Sequence, residues 1–190
     1  MAEVSHLTVV EVLDRLWDAG QRTLPGGGAE VLSTRVRAAD RAEEGRARDL
    51  ARRSPRGPPA GFSSTATMMY GHVEDTEDVL DHLDAVRELQ DELGGFTAFV
   101  PWSFKPGNTL LEKWIKHCEG SEHATSGCSA VSRLYLDNFP HVQASWFSEG
   151  KRTGQIALHF GADDWGGTLF EENVHKAADF VNKPSASTKS

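Results

Sequence analysis

The chain has 190 residues, 38% of them hydrophobic and 25% charged, with a formal net charge of −8. That length suits one domain with one core, and the acidic balance argues against nucleic acid as the main partner, because phosphate binding needs a basic surface. No run approaches the ~18 apolar residues of a membrane span, and the opening M-A-E-V-S-H has no basic region leading into an apolar block, so neither a span nor a signal peptide is expected. The two cysteines, Cys118 and Cys128, are then expected to be reduced thiols of a cytoplasmic protein.

The first predicted element is a helix: Thr8 and Glu11 form a T-x-x-E capping box, Val9, Val12, Leu13 and Leu16 form an apolar stripe, and Gly20 stops it. It reads as an outer helix covering a sheet. Gly26-Gly27-Gly28 then leads through Ala29 to Glu30 and a second helical stretch. Glycines ahead of a helix can turn backbone amides toward an anion, or simply make a tight turn, and both readings stay open, with Glu30 the functional candidate. Residues 39–60 alternate arginine with acid and end in proline and glycine, with almost no apolar residue but alanine, so they read as a poorly packed, solvated segment.

The stretch 62–109 carries the clearest pattern. Thr65 to Tyr70 and Phe96 to Val100 are short, continuously apolar runs, as strands buried on both faces require. Between them Val79, Leu83, Val86 and Leu93 recur at helical spacing, with acidic residues at the start and Gly94 at the end. Strand, helix, strand is a βαβ unit, whose ligand site lies just past the strands' carboxyl ends. The first loop there holds Gly71, His72 and Glu74, and the second runs from Trp102 through Lys105 to Asn108.

Beyond it, Leu110, Leu111, Trp114 and Ile115 begin a helix. His117, Cys118, His123 and Cys128 match no familiar zinc spacing, so no metal site is expected. A further helix carries Val131, Leu134, Tyr135 and Leu136 and ends by Pro140. His141 to Phe147 alternates like a strand, Ser148 to Lys151 reads as its terminal loop, and Gln155 to Phe160 is another apolar stretch. Asp163 and Asp164, between glycines, can bind a cation or a sugar diol or cap a turn. Thr168 and Glu171 make a second capping box for a last helix with Glu172 and His175 on one face, and residues 184–190 read as a disordered tail.

These strings resemble a known family. L-P-G-G-G-A-E at Leu24 to Glu30, T-A-T-M-M-Y-G-H at Thr65 to His72, G-G-F-T-A-F-V-P-W-S-F-K-P-G-N-T at Gly94 to Thr109, R-L-Y-L-D-N-F-P-H at Arg133 to His141, A-S-W-F at Ala144 to Phe147, H-F-G-A-D-D at His159 to Asp164 and G-G-T-L-F-E-E-N-V-H at Gly166 to His175 are similar to the carboxyl-terminal half of the menaquinone-pathway radical S-adenosylmethionine (SAM) enzymes. Among them the strings look most like the cyclic dehypoxanthinyl futalosine synthases (dehypoxanthine futalosine cyclases). The P-W-S-F-K-P-G-N-T and A-S-W-F strings favour these over the sister aminofutalosine synthases and the deazaflavin-cofactor synthases.

The resemblance implies an α/β fold, the carboxyl-terminal half of a TIM-type (β/α) radical SAM barrel spanning residues 1–183. It also implies a 4Fe-4S cluster that cleaves SAM, and a radical that closes a ring in a nucleoside-like small-molecule substrate of menaquinone biosynthesis. The family's cluster is held by a CxxxCxxC loop near its amino terminus, and this sequence carries no such loop; Cys118 and Cys128 are too few and too far apart to replace it. The chain alone is therefore expected to make no radical. Four sheet segments, near Arg22 to Leu24, Thr65 to Tyr70, Phe96 to Val100 and Val142 to Trp146, fall short of the roughly eight strands of a closed barrel. An open half should bind a partner, form a homo-oligomer or aggregate through its exposed edges.

Within that frame, Glu30, His72, Lys105 and Asn108 are candidates for ribose hydroxyls and the substrate carboxylate, and Trp102 and Trp146 for stacking on its aromatic portion. Asp163 and Asp164, then Glu172 and His175, follow. Three functions compete: part of a radical cyclase completed by a cluster-bearing segment, a non-catalytic binding domain that keeps half of the pocket, and an inactive truncated fragment.

Overall fold

The computed structural model describes residues 6–26, 30–36, 61–106 and 122–167. Their elements run in the order α1 (Val9–Asp18), β1 (Ser64–Tyr70), α2 (Thr76–Leu93), β2 (Phe96–Ser103), α3 (Glu122–Tyr135), β3 (His141–Val142), α4 (Trp146–Glu149) and α5 (Lys151–Leu158).

The three strands form one parallel sheet in the order β1-β2-β3, with Ala66 opposite Phe99, Tyr70 opposite Ser103 and Phe99 opposite Val142. A parallel bridge from Thr23 to Ser63 extends it on the β1 side, and another from Gln143 to Asp164 on the β3 side. Spatial order therefore follows chain order from residue 23 to residue 164. The helical crossovers α2 and α3 connect the strands, as parallel pairing requires.

Local chemistry explains the elements that form as expected. In α1 the Thr8–Glu11 box is made reciprocally, with the Thr8 amide donating to Glu11 Oε2 at 2.7 Å. In α2 Asp75 accepts from the amides of Glu77 and Asp78, while Gly94 at φ 60° ends the helix in a conformation that suits glycine. The main core lies between sheet and helices, where Met68, Leu83, Phe99 and Leu136 have no exposed surface and Phe99 meets Phe139 edge to face.

Several expectations are corrected. Helix α1 buries none of its residues, and Val9 and Val10 are 58% and 66% exposed; among the described residues it meets the rest through Trp17, edge to face with Phe62 at 5.2 Å, and does not cover the sheet. Strand β1 alternates, with Ala66, Met68 and Tyr70 buried and Thr65, Thr67 and Met69 half-buried, whereas β2 is buried over Ala98 to Pro101 and runs on through Trp102 to Ser103. Arg22 to Leu24 contributes a single bridge. The strand expected over Val142 to Trp146 stops early: the alternation runs to Phe147, but Ser145 turns left-handed at φ 47° and Trp146 starts a helix. Gln155 to Leu158 belongs to α5.

Helix α3 shows the largest inversion. Its buried face is Thr125, Ser126, Ser129 and Ser132, while Val131 and Leu134 are 46% and 83% exposed. The hydroxyls of Ser126 and Ser129 bond back to the carbonyls of Glu122 and Thr125, so burial leaves them satisfied, and small side chains let the helix approach the sheet. The predicted helix at 110–115, the arginine-rich segment, the last helix and the tail lie outside the described residues.

Candidate functional site at the carboxyl ends of the strands

Three strand ends, Tyr70, Ser103 and the residues after Val142, open toward one side of the sheet. The turn after β1 is closed by Glu74, which accepts from the amides of Gly71 and His72, the latter at 2.9 Å. The His72 ring is buried: Nε2 lies 3.1 Å from the Met69 carbonyl, Nδ1 lies 3.3 Å from Glu74, and the face is edge to face with Phe104. His72 thus shapes its own loop; the helix cap beside it belongs to Asp75.

Segment 30–36 runs from the edge of β1 to α2. The Glu30 carbonyl accepts from the Met69 amide at 3.2 Å, and Glu30 has φ 46°, a left-handed conformation uncommon outside glycine. Farther on, Arg35 and Ser33 grip Asp78. Burial raises the Asp78 carboxyl, but the hydrogen bonds from Arg35, Ser33 and the Asp75 amide overcome it and leave it at about 2.

At the end of β2 the pleat divides the residues. Trp102 is in register with Met69 and shares its face, whereas Ser103 shares the helix-covered face with Tyr70. There Glu149, from α4, accepts from the Ser103 amide at 2.8 Å, with the Ser103 hydroxyl 2.9 and 2.8 Å from its two oxygens. Lys105 donates to Ser103 Oγ at 2.6 Å and lies 3.3 Å from Glu149. The Glu149 side chain is buried, 2% exposed, and the Lys105 side chain nearly so, 13% exposed. Nearby, Tyr70 donates to Thr125 Oγ1 at 2.8 Å. Burial first, and the charge of Glu149 second, push the Tyr70 phenol far above its ordinary range. Burial also pushes the Cys128 thiol up to about 12, so it is protonated and inert at neutral pH.

Trp146 is buried, and stacks on Trp165 with ring centres 6.1 Å apart and planes at 12°. Gly154 permits this, because a Cβ there would stand 2.8 Å from Trp146 Cβ. A cleft of about 460 Å³ opens on the helix-covered face between α2 and α3, floored by Met68 and Tyr70 and walled by Val79, Cys128 and Ser132.

The sequence-derived candidates therefore divide. Glu30, His72, Trp102, Lys105 and Trp146 all stand near the carboxyl ends of the strands. Asp163 does not: it receives the Val142 amide at 2.9 Å and Arg133 at 2.6 Å, with His141 at 3.2 Å, beside the start of β3 at the opposite end. Asp164 accepts from Gln143 and caps a turn through the Gly166 amide. Asn108, Glu172 and His175 lie outside the described residues. Glu74 and Ser103 lie in the loops the sequence singles out but are not among its candidates, and Glu149 is the polar partner it does not point to. Glu149 sits in what reads as a loop after a strand, and only its proximity to Ser103 reveals it. Among the described residues no group of three or more His, Cys, Asp or Glu is arranged to hold a metal. A cluster needing three thiolates does not fit the two cysteines of this sequence, of which Cys128 is half-buried with its thiol held protonated and Cys118 lies outside the described residues. No helix among the described residues is long and apolar enough to cross a membrane.

A parallel sheet that advances in one direction, with polar residues gathered at its strand ends, defines an α/β protein of the strand-helix repeat class. Comparison with known proteins narrows this. A family model described as the CofH/MqnC C-terminal region matches residues 93–188, and the chain belongs to that family. Its relatives include an aminodeoxyfutalosine synthase of Thermus thermophilus, 38% identical over 91% of this chain and 47% of the relative. A cyclic dehypoxanthine futalosine synthase of Halalkalibacterium halodurans is 40% identical over 96% and 49% respectively. A 5-amino-6-(D-ribitylamino)uracil--L-tyrosine 4-hydroxyphenyl transferase of Methanosarcina acetivorans is 41% identical over 93% and 48%. The chain spans about half the length of the curated relatives it matches.

Proposed function

We propose that this chain is the carboxyl-terminal, substrate-side half of a radical SAM cyclase that converts dehypoxanthine futalosine to its cyclic form in menaquinone biosynthesis. The observation that carries the reading is the pairing of a half-length match to relatives so named with a parallel sheet whose strands follow chain order. Such a sheet closes into a TIM-type barrel at about eight strands, and the strands here, with the bridged segments at 23 and 164, make up part of that circle. The cluster and SAM belong to the other half; when bound there, they supply the radical chemistry.

The residues of this chain bind and orient. Trp102 and Trp146 flank the substrate's aromatic portion, and Glu30 and Asn108 meet its ribose hydroxyls. Lys105, held by Glu149, and His72, buried against the Met69 carbonyl and Phe104, keep the loops in place. Asp163, Asp164, Glu172 and His175 rank below these. The P-W-S-F-K-P-G-N-T and A-S-W-F strings support the cyclase over its sisters, whose identities to this chain differ by only a few per cent.

The test is anaerobic iron–sulfur reconstitution of the chain alone, and of the chain together with the amino-terminal half of the Halalkalibacterium relative. The chain alone should take up no stoichiometric four-iron cluster and form no 5′-deoxyadenosine. The pair should form both 5′-deoxyadenosine and the cyclic product. A four-iron cluster on the chain alone would overturn the assignment of the cofactor to the other half, and substrate binding without turnover in the pair would favour a non-catalytic binding domain.

A further inference from the structure

We propose that Glu149 is a positioning residue whose buried carboxylate locks the end of β2 to α4 and thereby sets the spacing between Trp102 and Trp146. What that spacing serves rests on the proposed function; the coupling itself rests on geometry alone. Glu149 and Ser103 are 46 residues apart in sequence, yet one carboxylate takes the Ser103 amide, the Ser103 hydroxyl and, at 3.3 Å, the Lys105 ammonium. The held amide is that of the residue directly after Trp102, and the holding carboxylate stands at the far end of the single turn that Trp146 opens.

That turn needs a tether. It has four residues, no side-chain cap, a left-handed Ser145 before it and Gly150 at φ 89° after it. One turn of helix has little stability of its own, and a non-glycine residue in the left-handed region costs more. The Ser145 carbonyl accepts from the amides of Ser148 and Glu149, which closes the turn on itself and leaves its register against β2 to side-chain contacts. The Trp146–Trp165 stack packs the turn against the segment after α5, and the Ser103–Lys105–Glu149 cluster ties it to the end of β2. Being buried and charge-assisted, the cluster holds its geometry more tightly than a surface pair would. Two loops that bring their rings to one ligand from different strands need such a fixed distance, since a misplacement of about 1 Å costs up to ~100-fold in rate.

The first arm of the test reads ¹H–¹⁵N indole resonances of the full chain, which has five tryptophans. Glu149→Gln should shift the Trp102 and Trp146 signals together and leave Trp17 in place; Asp137→Asn, which removes a carboxylate 72% exposed on the protein surface, should move neither. Movement of Trp146 alone, or of neither ring, overturns the proposal. Should Glu149→Gln fail to fold, Ser103→Ala removes the hydroxyl that bridges Lys105 to Glu149 and should shift both signals by less, whereas a shift of Trp102 alone again overturns the coupling. The second arm uses the enzyme assembled with the cluster-bearing half. There Glu149→Gln should raise KM for the nucleoside substrate roughly 10- to 100-fold, with KM for SAM unchanged, and Glu149→Asp should recover part of the loss. An unchanged substrate KM sinks the positioning role. Absence of product from the unmutated pair sinks the proposed function and leaves the indole arm to decide the coupling.

Discussion

The two ends of the sheet carry polar clusters of the same parts, a cation, a carboxylate and a backbone amide, placed in opposite surroundings. At the carboxyl end Lys105 and Glu149 are 13% and 2% exposed; beside the start of β3, Arg133 and Asp163 are 28% and 47% exposed. Identical chemistry therefore carries different stakes. A buried carboxylate cannot be removed without stranding its lysine away from water, whereas an exposed one is replaced by solvent. The lesson is that polar residues near a sheet must be ranked by what their removal would leave unpaired.

The sharpest way to break this comparison is Glu149→Ala, which should destabilise the chain by ~3–5 kcal/mol, read as a lower urea midpoint at unchanged slope. A loss below about 1 kcal/mol would make the two ends equivalent. Next, Gly154→Ala tests the packing behind Trp146. In an open helix alanine would add up to about 1 kcal/mol, but here the new methyl meets Trp146 Cβ at 2.8 Å, so a net loss of ~1–3 kcal/mol and a changed tryptophan fluorescence are expected.

A third effect depends on pH. The Asp78 carboxyl is held at about 2 from an ordinary 3.8, so its pair with Arg35 stabilises the fold fully above pH 4 and fades as pH falls toward 2. Because Arg35 is half exposed, the contribution is about 1–2 kcal/mol, and Asp78→Asn should flatten the acid limb of stability measured between pH 5 and pH 2. Smallest of all, Asp163→Asn keeps an acceptor for the Val142 amide and gives up only exposed ion pairs, so it should cost under ~1 kcal/mol in the same urea assay. A larger loss would show that this end is as tightly built as the other.

Much of the first half of the sheet was legible beforehand because its signals are local. The Asp75 cap, Gly94 and the apolar runs around them each act within a few residues, and β1, α2 and β2 appear where they point. Legibility fails where a contact spans the fold. Alternation from His141 to Phe147 looked like a strand, yet only His141 and Val142 find β2 to pair with, and the chain turns at Ser145. The apolar residues of α3 look like its core face, yet the sheet accepts its serines and Thr125, because small side chains allow the closer approach.

The candidate site divides in the same way. That loops rich in His72, Trp102 and Lys105 would gather past the strand ends follows from the βαβ rhythm, since parallel strands point their carboxyl ends to one side, whereas Trp146 joins them only because the expected third strand stops at Val142. Which of those groups is already engaged could not follow: Lys105 meets a carboxylate from the one-turn helix 44 residues later, and Asp163 falls at the other end because its strand has only begun there. By itself the sequence determined the local elements from β1 to β2, their parallel order and the family, all of which are set by short-range periodicity and by strings of adjacent residues. Only the tertiary structure decided which polar side chains are buried and paired, because burial and ion pairing are properties of neighbours in space.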